Sequence, residues 1–134
     1  MLCIYCGGKT EVVNSRLQKK ANQTWRRRSC RKCKGLFTTL ERADLTSSLL
    51  YKTASGHLEP FQRDILFISV YDSVRHRKKA SSDATGLTAT IISKLSPHVH
   101  SATINRSDII ATTTEVLKHF DKAAAVQYSA FHPL

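Results

Sequence analysis

The order of hydrophobic and polar residues predicts short β-strands in the first third of the chain. Residues 10–17 and 35–43 alternate loosely between the two kinds of side chain, and residues 22–29 can pair between them. The polar residues 18–23 suit a turn that joins the first two strands. The large apolar side chains of this segment are few: Val12, Val13, Leu17, Trp25, Leu36, Phe37 and Leu40. Because so few side chains cannot offset the conformational entropy lost on folding, a unit of this size needs an additional stabilising element.

After residue 45 the pattern predicts a β-hairpin that leads into a helix. Residues 47–53 and 57–61 have the composition of two short strands around a turn at residues 54–56. From Pro60, which suits the first turn of a helix, apolar residues recur at helical spacing. They are Phe61, Ile65, Ile68 (or Leu66) and Val74.

Three further helices are predicted beyond a polar break at residues 75–83. Apolar residues lie at helical spacing from Leu87 to Leu95, until Pro97 ends the pattern. A loop follows, and Ser107 can cap a third helix. The fourth helix is alanine-rich and covers residues of about 121–131. We therefore predict an α+β chain with a small β unit at residues 1–45 and a mainly helical unit, opened by a β-hairpin, at residues 46–134.

The four cysteines form two close pairs that predict a metal site. The pairs are Cys3 with Cys6 and Cys30 with Cys33, and 23 residues separate them. Together they supply four thiolates, and a tetrahedral zinc ion binds four ligands. The alternatives are two disulfides, buried free thiols and a redox CxxC. Because the first residues do not resemble an export signal, a metal site in a reducing compartment is favoured. We therefore predict one structural zinc ion per chain, which is the stabilising element that the β unit needs.

Positive charge is concentrated in the β unit. The chain has 21 Lys and Arg against 10 Asp and Glu, a formal net charge of +11, and residues 1–45 hold eleven basic and three acidic side chains. A surface that is only solvated normally mixes both signs, so this excess favours DNA or RNA as the partner. The arginine run 26–28 adjoins the second cysteine pair, where the net charge of −2 on zinc tetrathiolate would offset its self-repulsion. Trp25, beside this run, is more typical of a core residue than of a base-stacking platform.

The sequence also argues against several classes of function. No apolar run reaches the length of a membrane span, so we expect a cytoplasmic protein with no membrane partner. There is no GxxxxGK[ST] phosphate loop, no carboxylate cluster for magnesium and no supported Ser/His/Asp arrangement, so we expect no enzymatic activity. His98 and His100 are interpreted as loop residues.

Five segments, taken in order, resemble the NrdR family of bacterial repressors of ribonucleotide reductase genes. They are CIYCGG (3–8), VVNSRL (12–17), RRRSCRKC (26–33), FTTLERADL (37–45) and EPF (59–61). The hairpin sequence around YKTASGHLEPF and the final FDKAAAVQYSAF extend the resemblance over nearly the whole chain. The resemblance implies an N-terminal zinc ribbon followed by an ATP-cone, a domain that binds adenine nucleotides.

The resemblance implies that the four cysteines bind zinc and that basic residues of the ribbon lie at or near a double-stranded DNA operator. This DNA-binding set is Arg16, Arg26, Arg27, Arg28, Arg31, Lys32 and Arg42. ATP or dATP bound to the cone would set the size of a homo-oligomer, and that size would decide whether paired operator sites are bound. Such a repressor would act in the bacterial cytoplasm, at the nucleoid.

The same resemblance places Lys52, Glu59 and Tyr128 at the nucleotide. Lys52 would contact phosphates, and Glu59 would contact a sugar or a base edge. The alternative for Lys52 is an exposed strand lysine that binds no ligand. Several positions depart from the family pattern; among them, Ile65 stands where a basic residue is usual, and Gln127 where an arginine is usual. The alternative function is therefore a nucleic-acid-binding zinc ribbon with a helical oligomerisation domain that binds no nucleotide.

Overall fold

In a computed structural model, which describes residues 1–133, the chain forms two compact units, Met1–Ala43 and a second that begins at Asp44. The first unit is a three-stranded antiparallel sheet in the order β1-β2-β3. Its strands are β1 (Thr10–Gln18), β2 (Gln23–Cys30) and β3 (Leu36–Glu41). The three strands predicted from the sequence, and the α+β class of the whole chain, are confirmed.

The first unit has a very small core. Its buried apolar side chains are Cys3, Cys30 and Phe37, and the ring of Tyr5 packs edge-on against Phe37 with 6.2 Å between centroids. Trp25 is only half-buried, so the prediction that it is a core residue is wrong. The sheet has three strands and no helix packed on it within its own unit, so neither of its faces is closed off by a second layer of this unit.

The second unit opens with a small sheet whose third strand was not predicted. The short helix α1 (Leu45–Ser48) is followed by β4 (Leu50–Lys52), β5 (Leu58–Pro60) and, much later in the chain, β6 (Thr103–Asn105). The sheet order is β5-β4-β6, with β6 parallel to β4. The predicted strand at 47–53 therefore begins three residues late, because the Asp44 carboxylate accepts a hydrogen bond from the Thr46 N–H (3.2 Å) and caps α1.

Four helices complete the second unit, as predicted, but their ends differ from the predicted ones. They are α2 (Arg63–Val74), α3 (Ala80–Leu95), α4 (Arg106–Phe120) and α5 (Lys122–Phe131). Pro60 ends the edge strand β5, where its missing N–H costs no ladder bond, and does not enter a helix. Asn105 occupies the N-cap position of α4 in place of Ser107. Among residues 1–133 no helix combines the length and apolar character needed to cross a membrane.

The core of the second unit is formed by apolar faces of all four helices. On α2 the buried apolar residues are Leu66, Val70 and Val74, whereas Ile65 and Ile68 are 57% and 56% exposed. The predicted inward face of α2, with Ile65 and Ile68 on it, is therefore partly wrong. Because the segment ILFISV is apolar almost all round, helical spacing alone does not decide which side is buried.

A charged network joins the α2–α3 connection to the start of α5. The Arg77 guanidinium donates to Asp83 (2.9 Å) and to Asp121 (3.1 Å), and it lies 4.4 Å from the centre of the Phe120 ring. His76 Nε2 lies 2.8 Å from the same Asp121 carboxylate, which also caps α5. The hydrogen bond from His76, with those from the Ala124 N–H, Arg77 and the Ala123 N–H, lowers the pKa of Asp121 to about 2.

Candidate metal centre, basic sheet and cavity of the helical unit

The four cysteine sulfurs lie in the arrangement that a tetrahedral metal ion needs. All four Sγ atoms lie within 4.8 Å of one another, with 3.7 Å between Cys3 and Cys33 and 3.5 Å between Cys6 and Cys30. Zinc–sulfur bonds of about 2.3 Å place neighbouring sulfurs of a tetrahedron about 3.8 Å apart, whereas a disulfide requires about 2.05 Å. All four cysteines are free thiols. The donor set therefore fits one Zn²⁺ ion, and the disulfide alternative does not fit.

Backbone N–H groups point at these sulfurs and favour the thiolate. The N–H groups of Lys32 and Cys33 lie 3.3 and 3.4 Å from the Cys30 sulfur, and that of Tyr5 lies 3.3 Å from the Cys3 sulfur. Hydrogen bonds from the Cys33 and Lys32 N–H groups, together with those of neighbouring thiols, lower the pKa of Cys30 to about 6. The Gly35 N–H acts in the same direction on Cys33, but desolvation and its three thiol neighbours raise the pKa of Cys33 to about 11. Four thiolates at this spacing can coexist only around a cation.

Two glycines shape the turns that carry the cysteines, for different reasons. Gly7 has a φ of +73°, in the left-handed region that glycine adopts without strain. Gly35 allows a close approach instead, because a Cβ there would lie 2.6 Å from Cδ2 of Tyr5 and 3.2 Å from the Cys33 sulfur. A glycine at position 35 therefore leaves room for the Tyr5 ring beside this turn.

The arginine run is divided between the two faces of the sheet. Side chains of consecutive strand residues point to opposite faces, so Arg26 and Arg28 share one face while Trp25 and Arg27 share the other. Trp25 pairs with Arg16 on β1, whose guanidinium lies 5.8 Å from the indole centre. We call the surface formed by Arg16, Trp25, Arg27, Thr38 and Leu40 the Arg16–Arg27 face.

The two faces differ in how their cations are paired. Arg26 forms an ion pair with Glu41, and Arg31 one with Glu11 at 3.1 Å, so both carboxylates of Met1–Ala43 are occupied. Arg28 donates to the Thr10 hydroxyl at 3.2 Å, and its buried Nε has no partner among residues 1–133. The remaining predicted DNA-binding residues have no carboxylate partner in that range: Arg16, Arg27, Lys32 and Arg42.

A cavity of about 600 Å³ lies in the helical unit, between the β4–β5 hairpin, the starts of α2 and α4, and the end of α5. Glu59 and Tyr128 line it, as the predicted nucleotide set would require. Lys52 is not among the lining residues, because strand alternation turns it away from the face that carries Tyr51 and its partner Glu59. Arg106, which sequence reasoning did not select, lines the cavity instead.

The polar groups of this cavity are organised around two tyrosines. The Tyr51 hydroxyl donates to Glu59 Oε2 at 2.7 Å, and this bond to a carboxylate raises the pKa of Tyr51. Tyr128 is 2% exposed, desolvation raises its pKa, and its ring stacks on His132 with 4.2 Å between centroids. Arg106 lies near enough to both hydroxyls to favour their ionised forms. The cavity therefore combines apolar and aromatic walls with a few convergent polar groups, as small-molecule sites usually do.

A second cavity of about 560 Å³ adjoins the first, since Ser69, Tyr128 and His132 line both. Gln127 lies here and not in the first cavity. The basic residues that line the second cavity are Arg75, His76 and His132.

A basic three-stranded sheet that carries a closed four-cysteine site, followed by a mainly helical unit, defines a zinc-ribbon protein. Residues 1–41 match the family model described as "Transcriptional repressor NrdR-like, N-terminal domain". The chain is 35% identical to the transcriptional repressor NrdR of Methylobacterium nodulans, in an alignment that covers 98% of this chain and 68% of that protein. It is 32% identical to the proteins of the same name from Phenylobacterium zucineum and Sphingopyxis alaskensis, with 98% of this chain and 84% of each relative covered.

These alignments extend through both units, so the chain belongs to the NrdR family of transcriptional repressors. The family resemblance seen in the sequence is confirmed, and its four cysteines support a structural Zn²⁺ ion.

Proposed function

We propose that this protein is a zinc-dependent, DNA-binding transcriptional repressor whose assembly responds to an adenine nucleotide. The observation that carries the proposal is the excess of unpaired cations on the ribbon: Arg16, Arg27, Lys32 and Arg42 have no carboxylate partner among residues 1–133. Groups of this kind suit a polyanion, because no carboxylate of the unit pairs with them. The family resemblance favours double-stranded operator DNA of ribonucleotide reductase genes as that polyanion.

Within the ribbon, the Arg16–Arg27 face is the better candidate for the DNA contact. The guanidinium forks of Arg16 and Arg27 suit phosphate oxygens and guanine edges, and two- or three-stranded sheets can enter a DNA groove. Before they could contact DNA, Arg26 would have to break its ion pair with Glu41 and Arg31 its ion pair with Glu11. Because exposed ion pairs stabilise by only about 0–1 kcal/mol, those two arginines remain available as additional phosphate contacts.

The helical unit is proposed to bind an adenine nucleotide in its larger cavity. Glu59 and Tyr128 line that cavity, and its size of about 600 Å³ falls in the range usual for cofactor sites. Bound nucleotide would select the size of a homo-oligomer and thereby the spacing of paired ribbons on DNA. The alternative, a helical unit that only oligomerises, is distinguished by measuring the mass of the assembly by native mass spectrometry with and without ATP and dATP.

The DNA-binding proposal is tested by the salt dependence of binding. Arg16→Ala with Arg27→Ala removes two cations from the Arg16–Arg27 face, so operator binding should weaken and the slope of log K against log salt should fall by about 1.8 per ribbon. Lys94→Ala with Lys118→Ala removes the same charge from exposed positions of the helical unit and serves as the matched control. Fluorescence anisotropy with labelled duplex gives both slopes, and equal losses for the two double variants would contradict the proposal.

A further inference from the structure

The larger cavity of the helical unit holds little positive charge, and this limits the ligand it can take. We propose that its preferred ligand is an adenine nucleoside with a single phosphate group, and that a triphosphate binds more weakly. This inference rests on the nucleotide binding proposed above and specifies the ligand of the same site.

The charged side chains that line the cavity are one cation and one anion, Arg106 and Glu59, within the part of the chain that the structure describes. Its other walls are neutral and largely apolar, with Phe61, Ile65 and Ile110 among them. The formal charge of the lining is therefore zero when His132 is neutral. Three phosphoryl groups would bring several negative charges to a site with one guanidinium, and burial makes that imbalance costly.

Arg106 is placed to bind one phosphate. It is the first residue of α4, whose N-terminal end favours an anion; the side chain of Asn105 forms no capping hydrogen bond there, and the one acidic residue of the first turn is Asp108. Its guanidinium donates to the backbone carbonyl of Pro133 (3.3 Å) and has no carboxylate partner among residues 1–133. A planar guanidinium can hold two oxygens of one phosphate, but it cannot satisfy a chain of three.

Glu59 opposes additional phosphate and favours a sugar. One carboxylate oxygen accepts the Tyr51 hydroxyl at 2.7 Å, and the other, which has no hydrogen-bond partner among residues 1–133, can accept a ribose hydroxyl. The same negative charge repels any phosphoryl group that is not held by Arg106. A nucleoside with one phosphate therefore uses both charged groups of the cavity, and each additional phosphate adds repulsion without a new partner.

The adjoining cavity does not supply the missing cations. The lining of that cavity includes one Arg and one Asp, Arg75 and Asp72, so their charges cancel, and His76 lies 2.8 Å from the Asp121 carboxylate. A longer phosphate chain that reached past His132 would meet Asp72 as well.

The test is isothermal titration calorimetry of the full zinc-loaded chain with adenosine, AMP and ATP. We expect AMP to bind about tenfold more tightly than adenosine, and ATP about tenfold more weakly than AMP. The deciding titrations are made without magnesium, because Mg²⁺ neutralises two charges of the triphosphate and should narrow the difference between ATP and AMP. Arg106→Ala should reduce the affinity for AMP to that for adenosine, whereas Lys52→Ala, outside the cavity, should leave the order unchanged.

A gain of charge provides an independent test. Ile65→Lys adds a cation to the cavity wall at a position that is 57% exposed, so it should strengthen ATP binding more than AMP binding. Ile68→Lys is the matched control, because Ile68 lies on the same helix, is 56% exposed and does not line either cavity. Thermal melting of each variant establishes that the helical unit remains folded.

The outcomes separate this inference from the function on which it rests. ATP binding as tight as AMP binding, or tighter, would overturn the inference and leave regulation by nucleotide standing. No heat from any of the three ligands at millimolar concentration would overturn both the inference and the proposed nucleotide binding, while DNA binding is tested separately by its salt slope.

Discussion

Loss of one cysteine should unfold the ribbon, because metal binding supplies most of its stability. Cys30→Ser replaces a thiolate that is fully buried and receives N–H hydrogen bonds from Lys32 and Cys33. Beyond the cysteines, the buried apolar core of this unit contains only Phe37. Full burial of such a side chain stabilises by about 1.5–3 kcal/mol. Structural zinc contributes about 10–16 kcal/mol in small zinc domains. Since a folded domain is stable by only about 5–15 kcal/mol, loss of the metal exceeds what the rest of the ribbon can offset.

The assay combines the zinc content of the intact protein with two-dimensional NMR of its backbone amides. For Cys30→Ser we expect less than one zinc per chain and collapsed amide dispersion for residues 1–43, with the helical unit unchanged. Ser29→Ala is the control, since it alters the adjacent residue of β2 and keeps all four thiolates. A strong chelator added to the native protein should reproduce the variant, and added zinc should reverse it. Dispersed ribbon amides in a zinc-free, reduced sample would refute the reasoning.

Two further predictions concern the packing at Gly35 and the charge at Asp121. Gly35→Ala places a Cβ 2.6 Å from the Tyr5 ring, so it should destabilise the ribbon by about 1–3 kcal/mol in denaturant titrations. Gly86→Ala is the control: Gly86 is an exposed helical residue with open space around it, so alanine there should stabilise the helical unit by about 0.5–1 kcal/mol. His76 and the other donors lower the pKa of Asp121 in the folded state from 3.8 to about 2. The charged carboxylate therefore stabilises the fold fully above about pH 3.8, and this contribution to stability is lost as the pH falls through about 2. Asp121→Asn can still cap α5, but at pH 6 its melting temperature should be lower than that of the native protein. This difference in melting temperature should shrink towards pH 2, and a difference that does not depend on pH would contradict the assignment.

The ribbon was predictable from the sequence because its determinants are local. The spacing within each cysteine pair sets the geometry of one turn, and the separation of the pairs allows one sheet to bring them together. The pattern also predicted three strands, since each is long enough to show alternation. It did not predict which residues lie opposite these arginines, because the bulge between Val12 and Asn14 and the pairing of Trp25 with Arg16 are properties of the paired strands.

Short elements and uniformly apolar helices were harder to predict. β6 has three residues and pairs with β4, a strand more than 50 positions earlier, so no local pattern distinguishes it from a loop. In α2 the apolar residues surround the helix, so the pattern placed Ile65 on the inward side and offered Leu66 only as the alternative to Ile68. Only packing against the other helices buries Leu66 and leaves Ile65 at the edge of a cavity.

The cavity is the feature for which sequence reasoning was least informative, and the reason is physical. Its walls come from the hairpin, from the starts of α2 and α4 and from the end of α5, segments that only tertiary packing brings together. Arg106 precedes the serine that was expected to cap α4, so in sequence it looks like an ordinary loop cation. Lys52 lies in a hairpin that the family resemblance covers, yet one step of strand alternation separates it from the side of Tyr51 and Glu59. A resemblance identifies which segments build a site, whereas the pleat of a strand and the start of a helix decide which side chains enter it. The charged side chains that line the cavity, and therefore the ligand that it can bind, can be determined only from the folded structure.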